Sequence, residues 1–389
     1  MIRAALDVPA LGAGALRDGA LVALGATGTR RRGGDTPVTT DDLWHLGSCT
    51  KAMTATLLAI IAEREASASG RTPAENGTMA LRFEATLGDL LPAEHFPMHA
   101  SWRSVTLSQL LQHRAGLARD FPAPIWRAMW TATDDDGARH QAVLDLLATA
   151  PARAPGSPMV YSNAGYVIAG VVAEHRLGQT WEQAMRRLLF TPLGITSAGF
   201  GAPGIADPES QPWGHASDAG HAPVPPGRGA DNPPSLGPAG TVHMSMRDWA
   251  KFIALHTGRA TASAPLPDLE GSRSQGRPRA TPSEEASFLL SQEMLARLHD
   301  PEDDEMALGW VVVERPWAGG RAITHSGSNT MWYATVWAAP AKGIAVFAVC
   351  NQGGDDAARA CDRAVASMLP HALRAQTTSG SASTPDAKK

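Results

Sequence analysis

Residues 46–65, LGSCTKAMTATLLAIIAERE, decide the fold class because they place a serine, a lysine and a long apolar helix in one run. From Ser48 to about Glu65 the apolar residues recur with a helical period. Residues three apart on a helix share a face, so the Ser48 hydroxyl and the Lys51 ammonium come within hydrogen-bonding reach. A serine becomes a nucleophile when a neighbour takes its proton, and a lysine can do so once its pKa is lowered. The pair is therefore a candidate for acyl-group chemistry.

Strand-like segments lie on both sides of this helix, at opposite ends of the chain. Residues 11–25 form two apolar runs around Asp18-Gly19, which predicts a hairpin. Apolar, β-branched runs return at 308–314, 321–325, 332–338 and 343–350, and a final helix is predicted from about Asp355 to Arg374. One antiparallel sheet covered by the two helices buries all of these strands. The predicted fold class is therefore α+β, with an antiparallel sheet flanked by helices.

The middle of the chain is predicted to be mainly helical. Helical patterns occupy 104–113, 139–149, 164–176, 180–190 and 245–257, separated by Pro/Gly-rich connections. We assign 1–71 and 301–375 to a discontinuous sheet domain and 72–300 to a mainly helical inserted domain. Within the insertion, 202–240 is expected to be irregular and 259–286 to be a mobile surface segment. The tail at 376–389 is expected to be disordered.

Composition points to a small-molecule or short-peptide substrate. The net charge is −4, and no Lys/Arg run extends beyond Arg30–Arg32, so neither a nucleic-acid nor a membrane-surface partner is indicated. Three cysteines in 389 residues do not make a disulfide framework. No segment approaches the roughly 20 apolar residues of a membrane span. Residues 1–19 lack a signal-peptide core, so the cytoplasm is the default expectation, although an exported protein without its leader gives the same pattern. The oligomeric state stays open.

Several other site types are excluded by spacing. His95 and His99 have the helical spacing of metal ligands, but Pro97 lies between them, and there is no His-Glu-x-x-His run. Neither a Gly-x-Ser-x-Gly turn nor a phosphate-binding glycine loop occurs. No metal and no cofactor are therefore predicted, and His113 is expected to anchor a loop through hydrogen bonds.

Two further motifs join the Ser48 motif in a set order along the chain. Tyr161-Ser162-Asn163 lies at a loop-to-helix junction, and His325-Ser326-Gly327-Ser328 lies between two predicted strands. With Leu46–Lys51 they resemble the serine β-lactamase and D,D-peptidase superfamily, in the branch that holds class C β-lactamases, D-aminopeptidases and β-lactamase-like esterases. The resemblance covers residues 10–372 and includes Gly237-Pro238-Ala239-Gly240. It implies a β-lactamase/transpeptidase-like fold.

The resemblance also implies catalytic roles. Ser48 would form an acyl-enzyme, and Lys51 would share or relay its proton. Tyr161, as a phenolate stabilised by nearby cations, would act as general base and then as acid toward the leaving group. Asn163 would orient Lys51 and a substrate amide.

The third motif is implied to bind substrate. The backbone N–H groups of Ser48 and Ser328 would form an oxyanion hole. Gly327 would allow substrate to approach the backbone, and His325 would line the opposite wall of the cleft. Classical members have lysine where this chain has His325, which is mostly neutral near pH 7. That departure weakens the case for β-lactams and for C-terminal D-alanyl carboxylates.

The resulting prediction is a serine hydrolase acting on a small amide or ester. Three alternatives remain open at this point: an acyltransferase on the same scaffold, a β-lactamase proper, and a binding protein that has kept the fold without catalysis. Asn163 leans slightly toward amide substrates, while esterase and D-aminopeptidase activities both fit the motifs.

Overall fold

The computed structural model describes residues 1–69, 80–207, 210–217, 220–258, 289–302 and 305–374. The segment predicted to be mobile, 259–286, and the predicted disordered tail, 376–389, lie outside the described residues.

The main sheet joins strands from both ends of the chain. The strands are β1 (Ala10–Arg17), β2 (Ala20–Gly28), β3 (Leu43–His45), β4 (Gly199–Phe200), β5 (Gly214–His215), β6 (Pro223–Val224), β7 (Val242–Ser245), β8 (Val311–Arg315), β9 (Gly320–Ser328), β10 (Tyr333–Ala339) and β11 (Ile344–Cys350). Six of them form one antiparallel sheet in the order β2-β1-β11-β10-β9-β8. Leu11 is paired with Cys350, so the two ends of the chain meet at the centre of the sheet.

Twelve α-helices lie in the described residues. They are α1 (Ile2–Ala5), α2 (Thr50–Ser69), α3 (Leu87–Leu90), α4 (Leu107–Leu111), α5 (Ala123–Thr131), α6 (Asp135–Leu147), α7 (Asn163–Leu177), α8 (Trp181–Ala184), α9 (Gly237–Gly240), α10 (Met246–His256), α11 (Gln292–Leu298) and α12 (Asp355–Leu373). The predicted α+β class is confirmed. None of the helices in the described ranges has the length and apolar character needed to cross a membrane.

Both faces of the sheet are covered at the central strand β11. On β11, Val346 and Ala348 belong to one apolar cluster with residues of α12, whereas Phe347 and Val349 belong to the large core that includes α2 and α10. Successive side chains of a strand point to opposite faces. A strand covered on both faces therefore reads as an unbroken apolar run, as 344–350 does.

The opening hairpin has the predicted turn. Asp18 and Gly19 have φ values of 47° and 79°, as a type I′ turn requires at both central positions. The turn matches the twist of the flanking strands and brings β1 and β2 into the sheet.

The predicted helical middle lacks α3, α5 and α11, and it differs from the structure in two further respects. The helix expected at 104–113 is only α4, which begins after a Thr106 capping box and cannot extend through His113, whose φ is 60°. Short strands also form two small sheets, β3-β7-β4 and β5-β6. At His113, bonds from another segment replace the helical ones: its carbonyl oxygen accepts the Val160 N–H at 3.0 Å, and its Nδ1 accepts the Ser162 N–H at 2.9 Å.

Candidate active site

Ser48 lies in a short 3₁₀ turn, Gly47–Cys49, that leads into α2. Gly47 has a φ of 50°, a conformation that side chains with a Cβ rarely adopt. The turn continues into the helix, and Lys51 Nζ lies 3.1 Å from Ser48 Oγ. The contact predicted from the three-residue spacing is therefore present.

The Lys51 side chain is fully buried among oxygen acceptors. Its Nζ lies 2.8 Å from Asn163 Oδ1 and 2.6 Å from the carbonyl oxygen of Ala239. A neutral amine can donate two N–H bonds to these acceptors and direct its lone pair toward the Ser48 hydroxyl. Burial lowers the pKa of Lys51 to about 7, against a smaller opposing effect of the Asp120 charge. A large fraction of Lys51 is then a free amine near neutral pH.

Tyr161 stands beside this pair. Lys51 Nζ lies 4.8 Å from the centroid of the Tyr161 ring, and Tyr161 and Ser48 line the same cleft. Burial raises the pKa of Tyr161 well above its usual value and outweighs the lowering effects of the nearby Ser48 hydroxyl and of Arg119. The phenolate that the resemblance implied is therefore disfavoured in the free protein, because the ring is withdrawn from water.

His113 holds the loop that carries Tyr161, as expected. Its Nδ1 accepts the backbone N–H of Ser162 at 2.9 Å. The imidazole ring stacks on Tyr161 with centroids 4.4 Å apart. Burial lowers the pKa of His113 well below its usual value, so the ring remains a neutral support.

Gly327 brings β9 against the nucleophile turn. A Cβ at this position would lie 2.1 Å from the Leu46 carbonyl oxygen and 2.6 Å from the Ser48 nitrogen. A Cβ on Gly47 would likewise lie 2.5 Å from the Ser328 nitrogen. The backbones of the first and third motifs are thus in direct contact, and both Ser48 and Ser328 line the same cleft.

His325 does not lie where we expected it. Its side chain is 5% exposed, its Nδ1 lies 2.8 Å from the Ser326 carbonyl oxygen, and the cleft wall on β9 is formed by Ser326, Gly327 and Ser328. Side chains alternate along a strand, so His325 points away from the face that Ser326 presents. Burial lowers the pKa of His325 to about 4, helped by the Lys51 charge. The imidazole is therefore neutral at physiological pH.

Comparison with known proteins identifies the family. The sequence model of one family, described as Beta-lactamase, matches residues 1–369. This chain belongs to the β-lactamase family. Penicillin-binding protein 4 of Amycolatopsis lactamdurans is 28% identical over 357 residues, covering 91% of this chain and 83% of that protein. The resemblance to the serine β-lactamase and D,D-peptidase superfamily is confirmed, and members of this family are serine hydrolases.

Solved structures confirm the β-lactamase-like fold. The class C β-lactamase from Rhodobacter sphaeroides is 21% identical with a TM-score of 0.67, over 96% of this chain and 97% of that one. The D-amino acid amidase from Ochrobactrum anthropi SV3, complexed with L-phenylalanine amide, is 20% identical with a TM-score of 0.65, over 95% of each chain.

The cleft of this β-lactamase-family protein has a volume of about 780 Å³. Its walls come from five regions of the chain, and the lining residues are Ser48, Arg119, Asp120, Phe121, Ala123, Trp126, Tyr161, Asn163, Asn232, Leu236, Ala239, Gly240, Ser326–Thr330 and Tyr333. Arg119 and Asp120 are the charged residues in this lining. Asp120 Oδ1 accepts a hydrogen bond from Asn163 Nδ2 at 2.6 Å. Neither residue was predicted from the sequence, because neither belongs to a motif.

A buried arginine supports the wall that carries Ala239. Arg139 forms ion pairs with Glu174 and Glu182, and it also donates to the carbonyl oxygens of Pro234 and Ser235. The carboxylates of Asp136, Glu174 and Glu182 lie close enough together to resemble a metal site, but the guanidinium bridges the two glutamates. Arg139 therefore connects α6, α7 and α8 to the wall that carries Ala239, whose carbonyl oxygen accepts a hydrogen bond from Lys51.

Proposed function

We propose that this protein is a serine hydrolase that forms an acyl-enzyme at Ser48 on small amide or ester substrates. The observation that carries the proposal is a fully buried lysine, with a pKa lowered to about 7, whose Nζ lies 3.1 Å from the Ser48 hydroxyl. Burial is a free-energy cost for a lysine with a purely structural role, whereas it provides the lowered pKa that a base acting near neutral pH needs.

In the acylation step, Ser48 Oγ attacks the acyl carbon and its proton passes to the Lys51 amine. The ammonium that forms can donate to the Asn163 amide oxygen and the Ala239 carbonyl oxygen, which are already in place. The acceptors therefore stabilise the charged product of the proton transfer without rearrangement.

Tyr161 is the group best placed to return the proton. Its phenol lies beside both Lys51 and Ser48, and it carries its own proton in the free protein. It can donate that proton to the leaving group and recover one from Lys51. The same path run in reverse activates the water that releases the acyl group, so acylation and hydrolysis share one relay.

Backbone donors would hold the developing negative charge. The Ser48 and Ser328 segments touch through Gly47 and line one cleft. Their N–H groups are our proposed oxyanion hole. Fixed backbone dipoles in a site shielded from water stabilise the tetrahedral intermediate more than the flat substrate carbonyl.

We infer a neutral, partly apolar substrate rather than a classical β-lactam, because Arg119, the cation in the cleft lining, lies 3.8 Å from the Asp120 carboxylate. The imidazole of His325 is buried and neutral, so this position provides no permanent cation for a substrate carboxylate. Phe121, Trp126 and Leu236 provide an apolar side of the cleft. The structural similarity to an enzyme named as a D-amino acid amidase supports an amide or related ester as the substrate class.

Three chromogenic substrates and one label test the proposal. We expect a fluorophosphonate to label Ser48, and we expect p-nitrophenyl butyrate or D-alanine p-nitroanilide to be cleaved faster than nitrocefin. Ser48→Ala is the blank for both measurements. A wild-type protein that resists the label, or a Ser48→Ala variant with full activity, would contradict the mechanism. Transfer of the acyl group to added amines instead of water would support the acyltransferase alternative.

The pH dependence of turnover should report Lys51. We expect kcat/KM to rise with pH through a value near 7, because burial lowers the pKa of Lys51 to about 7 and only the deprotonated amine can accept the serine proton. The rate is measured from about pH 5.5 to 8.5.

The control for this profile is His325→Gln. The pKa of His325 lies near 4. Removing the imidazole should therefore leave unchanged the pH at which kcat/KM rises. A flat profile, or a limb that disappears in His325→Gln, would show that Lys51 is not the titrating base.

A further inference from the structure

A buried polar network connects the two segments that carry the proposed oxyanion donors. His45, Asp231 and Asn329 are each no more than 5% exposed. They come from β3, from the loop before α9 and from the turn between β9 and β10. Sequence analysis did not single out any of them, because they are far apart along the chain.

His45 holds the first segment. Its Nδ1 accepts the Gly47 backbone N–H at 3.1 Å, and its Nε2 lies 2.7 Å from Asp231 Oδ2. Since Nδ1 accepts a hydrogen bond, the ring hydrogen is on Nε2 and is donated to the carboxylate. The imidazole thereby braces the peptide next to Ser48, at the residue whose φ is 50°.

Asn329 holds the second segment. Its Nδ2 donates to Asp231 Oδ1 at 2.8 Å, and its Oδ1 accepts the N–H groups of Met331 at 3.2 Å and Trp332 at 3.1 Å. These bonds close the turn that follows Ser328. Asp231 Oδ1 also accepts the N–H of Asn232, a residue that lines the cleft.

We propose that Asp231 is a positioning residue for the oxyanion hole, because its two carboxylate oxygens tie the His45–Gly47–Ser48 turn to the Ser328–Asn329 turn. This inference rests on the proposed function. The Asp231 carboxylate is not part of the cleft lining; it acts through His45 and Asn329. Two donors on separate segments stabilise an oxyanion only when their spacing is held, and Asp231 is the buried acceptor common to both segments.

The test is Asp231→Asn in the full chain. An asparagine of the same shape can accept from only one of the two partners and presents an N–H to the other. Outright removal of an oxyanion donor costs about 10²- to 10³-fold in kcat, so a displaced donor should lower kcat by about 10- to 100-fold with KM changed by less than about threefold.

A second readout separates positioning from general damage. Butylboronic acid forms a tetrahedral adduct with an active serine and places an oxygen where the oxyanion forms. Its inhibition constant should rise in Asp231→Asn by about the same factor as kcat falls. His45→Gln can keep the bond to Asp231 but loses the Nδ1 acceptor for Gly47. It should show the same fall in kcat and rise in the inhibition constant. This variant replaces Asp231→Asn if that protein folds poorly.

The matched control is Asp248→Asn. Asp248 is also a buried carboxylate, and it accepts hydrogen bonds from the Thr196 N–H and from the N–H and hydroxyl of Ser197, away from the cleft lining. The Asp248→Asn variant should have a lower melting temperature than the wild type. At temperatures below it, kcat and boronate affinity should be unchanged. Unchanged kcat in Asp231→Asn, or a loss of kcat with unchanged boronate affinity, would overturn the inference. Wild-type protein that resists fluorophosphonate would instead overturn the proposed function.

Discussion

Lys51→Arg should abolish turnover although the positive charge is kept. A guanidinium does not give up its proton in proteins, so the variant has no base beside Ser48. The loss of general-base catalysis should lower kcat/KM by about 10²- to 10⁴-fold. The larger planar group must also displace one of the acceptors that now contact Nζ, Asn163 Oδ1 or the Ala239 oxygen. Initial rates on the best chromogenic substrate measure the effect.

The chain offers a matched control for this change. Lys251 is on α10, where its Nζ bonds Asp248 and the Gly194 carbonyl oxygen on the surface. Lys251→Arg should keep wild-type rates and melting temperature. Lys51→Met, which removes both charge and proton acceptor, should lose as much activity as Lys51→Arg. An active, folded Lys51→Arg variant would assign the base to another residue.

Gly327→Ala should remove most activity and some stability. The added methyl would lie 2.1 Å from the Leu46 carbonyl oxygen and 2.6 Å from the Ser48 nitrogen, both of which are backbone atoms. Strand β9 must therefore move away from the nucleophile turn. Overpacking of this kind costs about 1–3 kcal/mol of folding free energy, and a displaced oxyanion donor should lower kcat by about 10²-fold or more.

Gly25→Ala is the corresponding control in strand β2. A Cβ on Gly25 would meet no heavy atom within 4 Å, so this variant should keep both kcat and the denaturation midpoint. Chemical denaturation and initial rates are measured on the two variants together. A Gly327→Ala protein with wild-type kcat would show that close contact between β9 and the Ser48 turn is not needed for turnover.

Much of the candidate site could be predicted because each motif is local. The spacing of Ser48 and Lys51 predicted that they share one face of a helix. In the structure, Lys51 Nζ lies 3.1 Å from Ser48 Oγ. Asp18-Gly19 predicted the hairpin that begins the sheet. In both cases the geometry depends on the backbone of a few adjacent residues, so the sequence of those residues is sufficient evidence.

The environment of the motifs could not be predicted in the same way. Neither Asp120 nor Asp231 belongs to a sequence motif. Asp120 bonds Asn163, and Asp231 bonds His45 and Asn329. The resemblance suggested that His325 lines the cleft and that Tyr161 is a phenolate. Burial of both side chains changes these expectations, and burial depends on segments that lie far away in sequence.

The amino-acid sequence by itself determined the α+β class, the antiparallel sheet built from both ends of the chain, and the pairing of Ser48 with Lys51 through the helical repeat. Only the tertiary structure decided the surroundings on which the proposed role of Lys51 as a base depends. Its acceptors come from residues 112 and 188 positions away, and its lowered pKa arises from complete burial. The physical reason is that a hydrogen bond within one turn follows from local geometry, whereas desolvation is the summed effect of every chain segment packed around the amine.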